Sequence, residues 1–550
     1  MFPIFCYICH MKRLGFSIPI LAAVLLMTAC HDKVEPQPEP YLHDIILQGN
    51  SFQVPRGDTI HLGFTLQDAG CESKVELRVF GGEANAVKLE AVVPVSNAQT
   101  ELSAETALSS QEYYAVIRDN STMDRYEVTA SLAVTGRVMT GTEETLYSER
   151  FTITPKYSTS IGTGLPVIHI NTAGGAKITS KVNYISADFS IEGGDDYDDM
   201  DAVTCNIRGR GNTTWDWPKK PYLVKFDKKQ SVLGLPKHKR WVLLANFMDR
   251  TMMRNIVAMK VSSMTSLAWT PRCVPAELVL NGQHMGFYLI IEQVRVDEKR
   301  INISEDNGYL LELDFHYDNE IQWIDPHGSC WGISEKGIPF GIKSPDTDVI
   351  TQGQIDYIKN HIYDVAEVIY GDNFADPEEG YAKYLDVQSF ADFWIVNEVM
   401  GNHELSNPGS VYFHKDDGKK IVAGPIWDFD WGILSYNTSP QAKKGLINDG
   451  AIWYARLLQD PAFKKVIKER WNVLKPKFET IPDYMEEMRK LLYPSSTINF
   501  QMWDPSEDRV SNGWQIINGD ENITFDAAVD RIKTIFGERL SVMDGIIQKW

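Results

Sequence analysis

The stretch Ile421-Val422-Ala423-Gly424-Pro425-Ile426-Trp427-Asp428-Phe429-Asp430-Trp431-Gly432 sets two acids in a frame of aromatic side chains. A carboxylate among apolar groups is costly unless it is paired or bound to a cation, so Asp428 and Asp430 read as chemistry rather than packing. At alternating strand positions the two would share one face. Upstream, apolar residues at helical spacing over 386–400 predict a helix that ends at Gly401-Asn402-His403-Glu404-Leu405-Ser406-Asn407-Pro408-Gly409-Ser410. Val411-Tyr412-Phe413-His414-Lys415, a turn at Asp416-Asp417-Gly418 and Ile421-Val422-Ala423 then read as a hairpin. The order is helix, polar loop, hairpin, acid.

Two earlier stretches also carry polar groups in patterned positions. Ile207-Arg208-Gly209-Arg210-Gly211-Asn212-Thr213-Thr214 reads as a strand running into a glycine-containing turn. Trp215-Asp216-Trp217-Pro218-Lys219-Lys220-Pro221-Tyr222-Leu223-Val224-Lys225-Phe226 leads into a second strand. Glycines let the backbone approach a phosphate, while turn N–H groups, Arg and Lys neutralise it. Neither G-x-x-x-x-G-K-[ST] nor G-x-G-x-x-G is present. In Trp241-Val242-Leu243-Leu244-Ala245-Asn246-Phe247-Met248-Asp249-Arg250-Thr251-Met252-Met253-Arg254-Asn255, Asp249 is predicted as a helix N-cap. Arg254 and Asn255 are positioned to anchor a phosphate or a neighbouring loop. Trp215 and Trp217 are candidate exposed aromatics.

The remaining chain sets the context. At 550 residues it suggests two to four domains. A formal charge of −20, from 54 Lys+Arg and 74 Asp+Glu, argues against a nucleic-acid partner, which requires clustered cations. From Met11, an alternative start, a basic Lys12-Arg13 precedes an apolar run over 16–27 and Thr28-Ala29-Cys30. This is the pattern of a secretory signal with a lipoprotein-type cleavage site, Cys30 being the lipidated residue. Residues 1–30 are therefore assigned as the signal and 31–42, with Glu35-Pro36-Gln37-Pro38-Glu39-Pro40, as an extended linker. The mature protein is expected on a membrane of the bacterial cell envelope. Short alternating runs over 43–155 predict a β-sandwich. Residues 156–164 read as a linker, and 165–550 as an α+β unit with its strands ahead of its long helices.

The order of helix, polar loop, hairpin and aromatic-bracketed acid is similar to the lower lobe of protein kinases. With the Arg208-Gly-Arg-Gly-Asn-Thr-Thr, Pro218-Lys-Lys-Pro-Tyr, Trp241-Val-Leu-Leu-Ala, Asp249…Arg254-Asn255, Gly286-Phe-Tyr-Leu…Glu292-Gln293 and Trp427-Asp-Phe-Asp motifs, the chain resembles the spore-coat protein H (CotH) kinase family from about 165 onward. The resemblance implies a divergent two-lobed kinase-like domain behind an immunoglobulin-like sandwich. It also implies ATP, Mg²⁺ or Mn²⁺, and phosphate transfer to Ser/Thr of a protein acceptor. Arg208, Gly209, Arg210, Gly211 and Asn212 would then form the phosphate-covering turn. Lys220 would be the nucleotide lysine, with Lys225 as the alternative, and Glu292 would lie towards the adenine side. Asp428 would bind the metal with Asn407 and Asp430, and Glu404 would take the place of the catalytic Asp. Ser410 stands where a metal-binding Asn is expected, and the helix around Arg254 offers no Glu to pair with the lysine. A second reading is a kinase-fold surface lipoprotein that binds a polymer or partner protein without catalysis.

Overall fold

The structure is a computed structural model. It describes residues 159–550 apart from 195, 317–318, 329–336, 438–439, 507–517 and 521, together with the backbone of nine strands between 43 and 153. The signal segment with Cys30, the 31–42 linker and residues 156–158 lie outside the described residues.

The nine strands are β1 (His43–Ile46), β2 (Phe52–Gln53), β3 (Thr59–Gln67), β4 (Lys74–Gly81), β5 (Ala86–Pro94), β6 (Thr100–Ala104), β7 (Glu112–Asp119), β8 (Thr129–Thr140) and β9 (Glu143–Ile153). They form two antiparallel sheets, β1-β7-β4-β5 with β2 on β7, and β6-β3-β8-β9.

A closed barrel follows. Its strands are β10 (Val167–Thr172), β11 (Ile185–Glu192), β12 (Met200–Gly209), β13 (Tyr222–Gln230), β14 (His238–Leu244), β15 (Cys273–Leu280) and β16 (Gln283–Glu292), in the order β10-β11-β12-β13-β14-β16-β15. The parallel pair β10 and β15 closes it, with Val167 opposite Glu277; all other pairs are antiparallel. Successive side chains on a strand face opposite ways, and here both faces are buried. Tyr222, Val224, Trp241, Leu243, Tyr288 and Ile290 join one core, while Leu223, Val242, Leu244, Phe287, Leu289 and Ile291 join a second core shared with the helices. This is why Trp241-Val-Leu-Leu-Ala reads as an unbroken apolar run.

A five-stranded antiparallel sheet packs into the second core, in the order β18-β19-β17-β20-β21: β17 (Tyr309–Leu313), β18 (Gln322–Asp325), β19 (Ile338–Ser344), β20 (Val411–Lys415) and β21 (Ile421–Ala423). The predicted hairpin is thus the β20–β21 pair. The chain is α+β, as expected.

The described α-helices are α1 (Thr213–Asp216), α2 (Arg254–Ser263), α3 (Gln352–Tyr370), α4 (Val387–Val399), α5 (Tyr454–Leu457), α6 (Pro461–Phe478), α7 (Ile481–Met502) and α8 (Phe525–Ile547). Their starts follow local chemistry. Thr351 and Gln354 form a capping box on α3, and Asp386, Asp460 and Thr524 cap α4, α6 and α8. The predicted cap of α2 needs correction: its N-cap position is Met253, whose side chain makes no cap hydrogen bond. Asp249 serves that end from a distance, its Oδ2 accepting from Arg254 N at 2.9 Å.

Candidate active site

A cavity of about 480 Å³, the size of a small-molecule site, opens between the barrel and the second sheet. Its barrel wall begins where β12 ends. A side chain at Gly209 would come within 2.2 Å of the Trp215 ring, so only glycine lets that ring close over the turn. Gly211 has φ +85°, the left-handed region that glycine occupies freely. Arg208, Arg210, Gly211 and Asn212 line the cavity, while Gly209 supports the turn from behind. The Arg210 guanidinium stands 5.7 Å from the Trp427 ring, which brings the basic turn against the acidic loop.

The facing wall is acidic. Glu312 and Asp314 come from β17 and its end, Glu404 from the loop after α4, and Asp428 and Asp430 from the segment after β21. That segment is irregular rather than a strand, and Asp428 has φ +66°. Two other lining residues, Asn246 (φ +47°) and Ser410 (φ +58°), are also left-handed. Non-glycine residues in this region cost backbone energy and are held by their surroundings, as at many functional sites. Here Asn255 of α2 does part of the holding: its Oδ1 accepts from Phe429 N at 2.8 Å. The prediction that Asn255 anchors a neighbouring loop is met by that bond.

Arg254, beside it, is fully buried between two carboxylates rather than free for a phosphate. Its Nη1 meets Asp249 Oδ1 and its Nη2 meets Asp520 Oδ2, each at 2.5 Å, and its Nε donates to Ile433 O at 2.7 Å.

Three placements differ from those read from the motifs. Lys220 does not line the cavity; its Nζ donates to Trp215 O at 2.7 Å, and Lys225 stands 5.9 Å from the Tyr184 ring. The adjacent Lys219 lines the cavity instead. Its Nζ donates to Phe287 O and, at 2.8 Å, to Asn499 Oδ1. Glu292 is buried away from the cavity, gripped by Arg272 through Nε to Oε2 and Nη2 to Oε1, both 2.8 Å. Trp217 is buried against Phe247, with centroids 5.5 Å apart, and Trp215 is half-buried. The exposed aromatic at the rim is Trp431, 37% accessible.

Lys219, Glu312 and Asp314 carry charge here but do not stand out in the sequence. Glu312 is fixed by Tyr412 Oη at 2.6 Å, Asn319 Nδ2 at 3.0 Å and Lys343 Nζ at 3.0 Å. The Leu310-Leu311-Glu312-Leu313 run, buried on both faces, hides the alternation that would have marked this acid.

Residues 207–543 match a family model described as CotH kinase protein. The chain belongs to the CotH kinase family. No curated protein matches it.

The electrostatics of the CotH site follow from crowding acids into low dielectric. Burial, then the charge of Asp428, raises the Asp430 pKa to about 8, with Asp249 adding and Arg210 opposing. Asp428 is raised by burial against the pull of Arg210. Glu404 is raised well above the carboxylate range by burial and by Asp428, Asp430 and Asp314. Across the cavity, burial lowers the Lys219 pKa to about 7, with Glu277 opposing. Burial also lowers His403.

Acids crowded into low dielectric in this way suit a cation. Asn407 Oδ1 lines the same wall, buried and without a partner. Asp428, Asp430 and Asn407 thus offer oxygen donors, the chemistry Mg²⁺ and Mn²⁺ take. Among the described residues no three His, Cys, Asp or Glu side chains form a ready-made metal cage. Mg²⁺ ordinarily uses one or two carboxylates together with substrate phosphates, so the donor set fits.

Proposed function

We propose that this CotH domain is an ATP-dependent protein kinase acting on Ser/Thr hydroxyls of a protein acceptor. One observation carries the reading: five acids and a buried amide oxygen face Arg208, Arg210 and Lys219 across a single cavity. Substrate phosphates need both walls, one to neutralise them directly and one to hold the accompanying cation.

On this reading the 208–212 turn covers the phosphates with its arginines and backbone amides. Lys219 rather than Lys220 is the phosphate lysine, because it lines the cavity. Asp428, Asp430 and Asn407 hold the divalent ion, which supplies positive charge that favours the ionised carboxylates and the loaded phosphates. Glu404 accepts the acceptor's hydroxyl proton as the hydroxyl oxygen bonds to the γ-phosphorus and the bridging β–γ P–O bond breaks. In the kinase-like description, the barrel with α1 and α2 forms one lobe and the second sheet with the remaining helices forms the other. On the same reading the strands between 43 and 153 form an immunoglobulin-like sandwich, and Cys30 carries a lipid anchor at the cell envelope.

The test is a titration of the full chain with ATP and Mg²⁺ or Mn²⁺, read by thermal shift, followed by labelling from γ-labelled ATP. A ligand at 100 times its dissociation constant adds about 2.7 kcal/mol. Binding with transfer to protein is expected. Binding without transfer leaves the non-catalytic module that the Glu404 and Ser410 departures favour, and no binding overturns the assignment. The anchor is tested separately: a clickable palmitate should label the parent and not Cys30→Ser.

A further inference from the structure

Asn518 lies outside the cavity lining, yet it is hydrogen-bonded to both loops that frame the acidic wall. It is 2% exposed. Its Nδ2 donates to Met248 O at 3.0 Å and to Asp430 O at 2.9 Å, and its Oδ1 accepts from Gly432 N at 2.8 Å. Its own carbonyl accepts from Ser435 Oγ at 3.1 Å. Two residues on, Asp520 takes Arg254, whose Nε reaches Ile433 O. Residues 429–433 are therefore held at four backbone atoms by three side chains: Phe429 N by Asn255, Asp430 O and Gly432 N by Asn518, and Ile433 O by Arg254.

We infer that Asn518 is a positioning residue for the acidic loop, bridging it to the 245–248 wall and so fixing where the Asp428 and Asp430 carboxylates stand. The inference rests on the reading that these carboxylates hold a cation. A primary amide suits the task because it donates twice and accepts once while staying neutral beside a crowd of acids. An ionised Asp here would turn lone pairs on Met248 O and Asp430 O and add a charge. Misplacing metal donors by about 1 Å is enough to lose most of their function.

The experiment uses the full chain and its Asn518→Asp variant. Hydrogen exchange is followed without ligand, and Mn²⁺ affinity is measured by electron paramagnetic resonance at pH 8. Exchange over 429–434 should rise at least tenfold in the variant, with β14 and α4 unchanged. Mn²⁺ affinity relative to the parent should fall about tenfold at pH 8. A residue that only supports the fold would raise exchange across the barrel and helices alike, or leave Mn²⁺ affinity unchanged. Either result overturns the inference, as does unchanged exchange over 429–434. If the parent binds no Mn²⁺ while 429–434 alone loosens, the cation reading falls and the loop-holding role stands. Should Asn518→Asp not fold, Ser435→Ala releases the Asn518 carbonyl instead. It should raise exchange in the same segment, and no rise there overturns the inference.

Discussion

On the barrel wall, Arg208 stands at the end of β12, where pairing with Leu223 on β13 fixes its register. On the opposite wall, Asp428 and Asp430 occupy irregular backbone, and side-chain hydrogen bonds from α2 and the 518–520 turn hold them in place. Register is a property of many weak bonds shared along two strands, so no single side chain carries it. A loop held at four atoms concentrates the same duty in three residues. The acidic wall should accordingly be the more fragile of the two, and each expectation below tests that asymmetry.

The largest effect is expected at Arg254. Arg254→Met leaves Asp249 buried without its cation and Asp520 with Arg531 alone, and breaking a buried ion pair in this way costs about 3–5 kcal/mol. Urea unfolding should show that loss. On the barrel wall, Arg208→Met removes a half-buried cation that stands over the Tyr184 ring at 5.1 Å, and it should cost less than about 1 kcal/mol. Equal losses would remove the asymmetry.

Next comes Asp428. Asp428→Asn keeps shape and removes the charge that holds a cation, so metal-dependent ATP affinity should fall roughly 10³-fold by calorimetry. The melting temperature should hold or rise, because a destabilised buried acid has gone. Parent-like affinity would make Asp428 structural.

Lys219 and Lys220 separate what the sequence could convey from what it could not. Lys219→Met should weaken ATP about 100-fold, whereas Lys220→Met should stay within about twofold, measured by the same calorimetry. Pro218-Lys219-Lys220-Pro221 announces a lysine near the turn, but neighbouring residues face opposite sides and no periodicity spans four residues between prolines. The turn and the acid pair were legible because glycine spacing and aromatic framing are local signals. The hairpin was legible for the same reason. Glu292 was misplaced because a partner 20 residues away, Arg272, claims it. The bonds of Asn518 to Asp430 and of Asp520 to Arg254 were invisible: they join residues about 90 and 270 positions apart, a distance only the fold closes.

The smallest effect is in pH, and it distinguishes the walls by sign. Asp430 titrates at about 8 in the folded chain against an ordinary value of 3.8. The folded state therefore carries the extra proton between those values. Stability linked to Asp430 is full below about pH 4 and is lost as pH rises towards 8. Lys219 titrates at about 7 against 10.5, so its unfolded form holds the extra proton, and stability linked to it is gained as pH rises from 7 to 10.5. A cation must displace the Asp430 proton, so Mg²⁺ affinity should climb by up to roughly tenfold per pH unit until about 8 and then level. ATP affinity gains from the same ionisation but loses the Lys219 charge above 7, so its profile should be flatter than that of the metal alone. Asp430→Asn should abolish the slope for Mg²⁺, and Lys219→Met should steepen the profile for ATP. If Mg²⁺ affinity is level from pH 6 to 8 in the parent, then Asp430 is already ionised there and the acidic wall is not charged by binding.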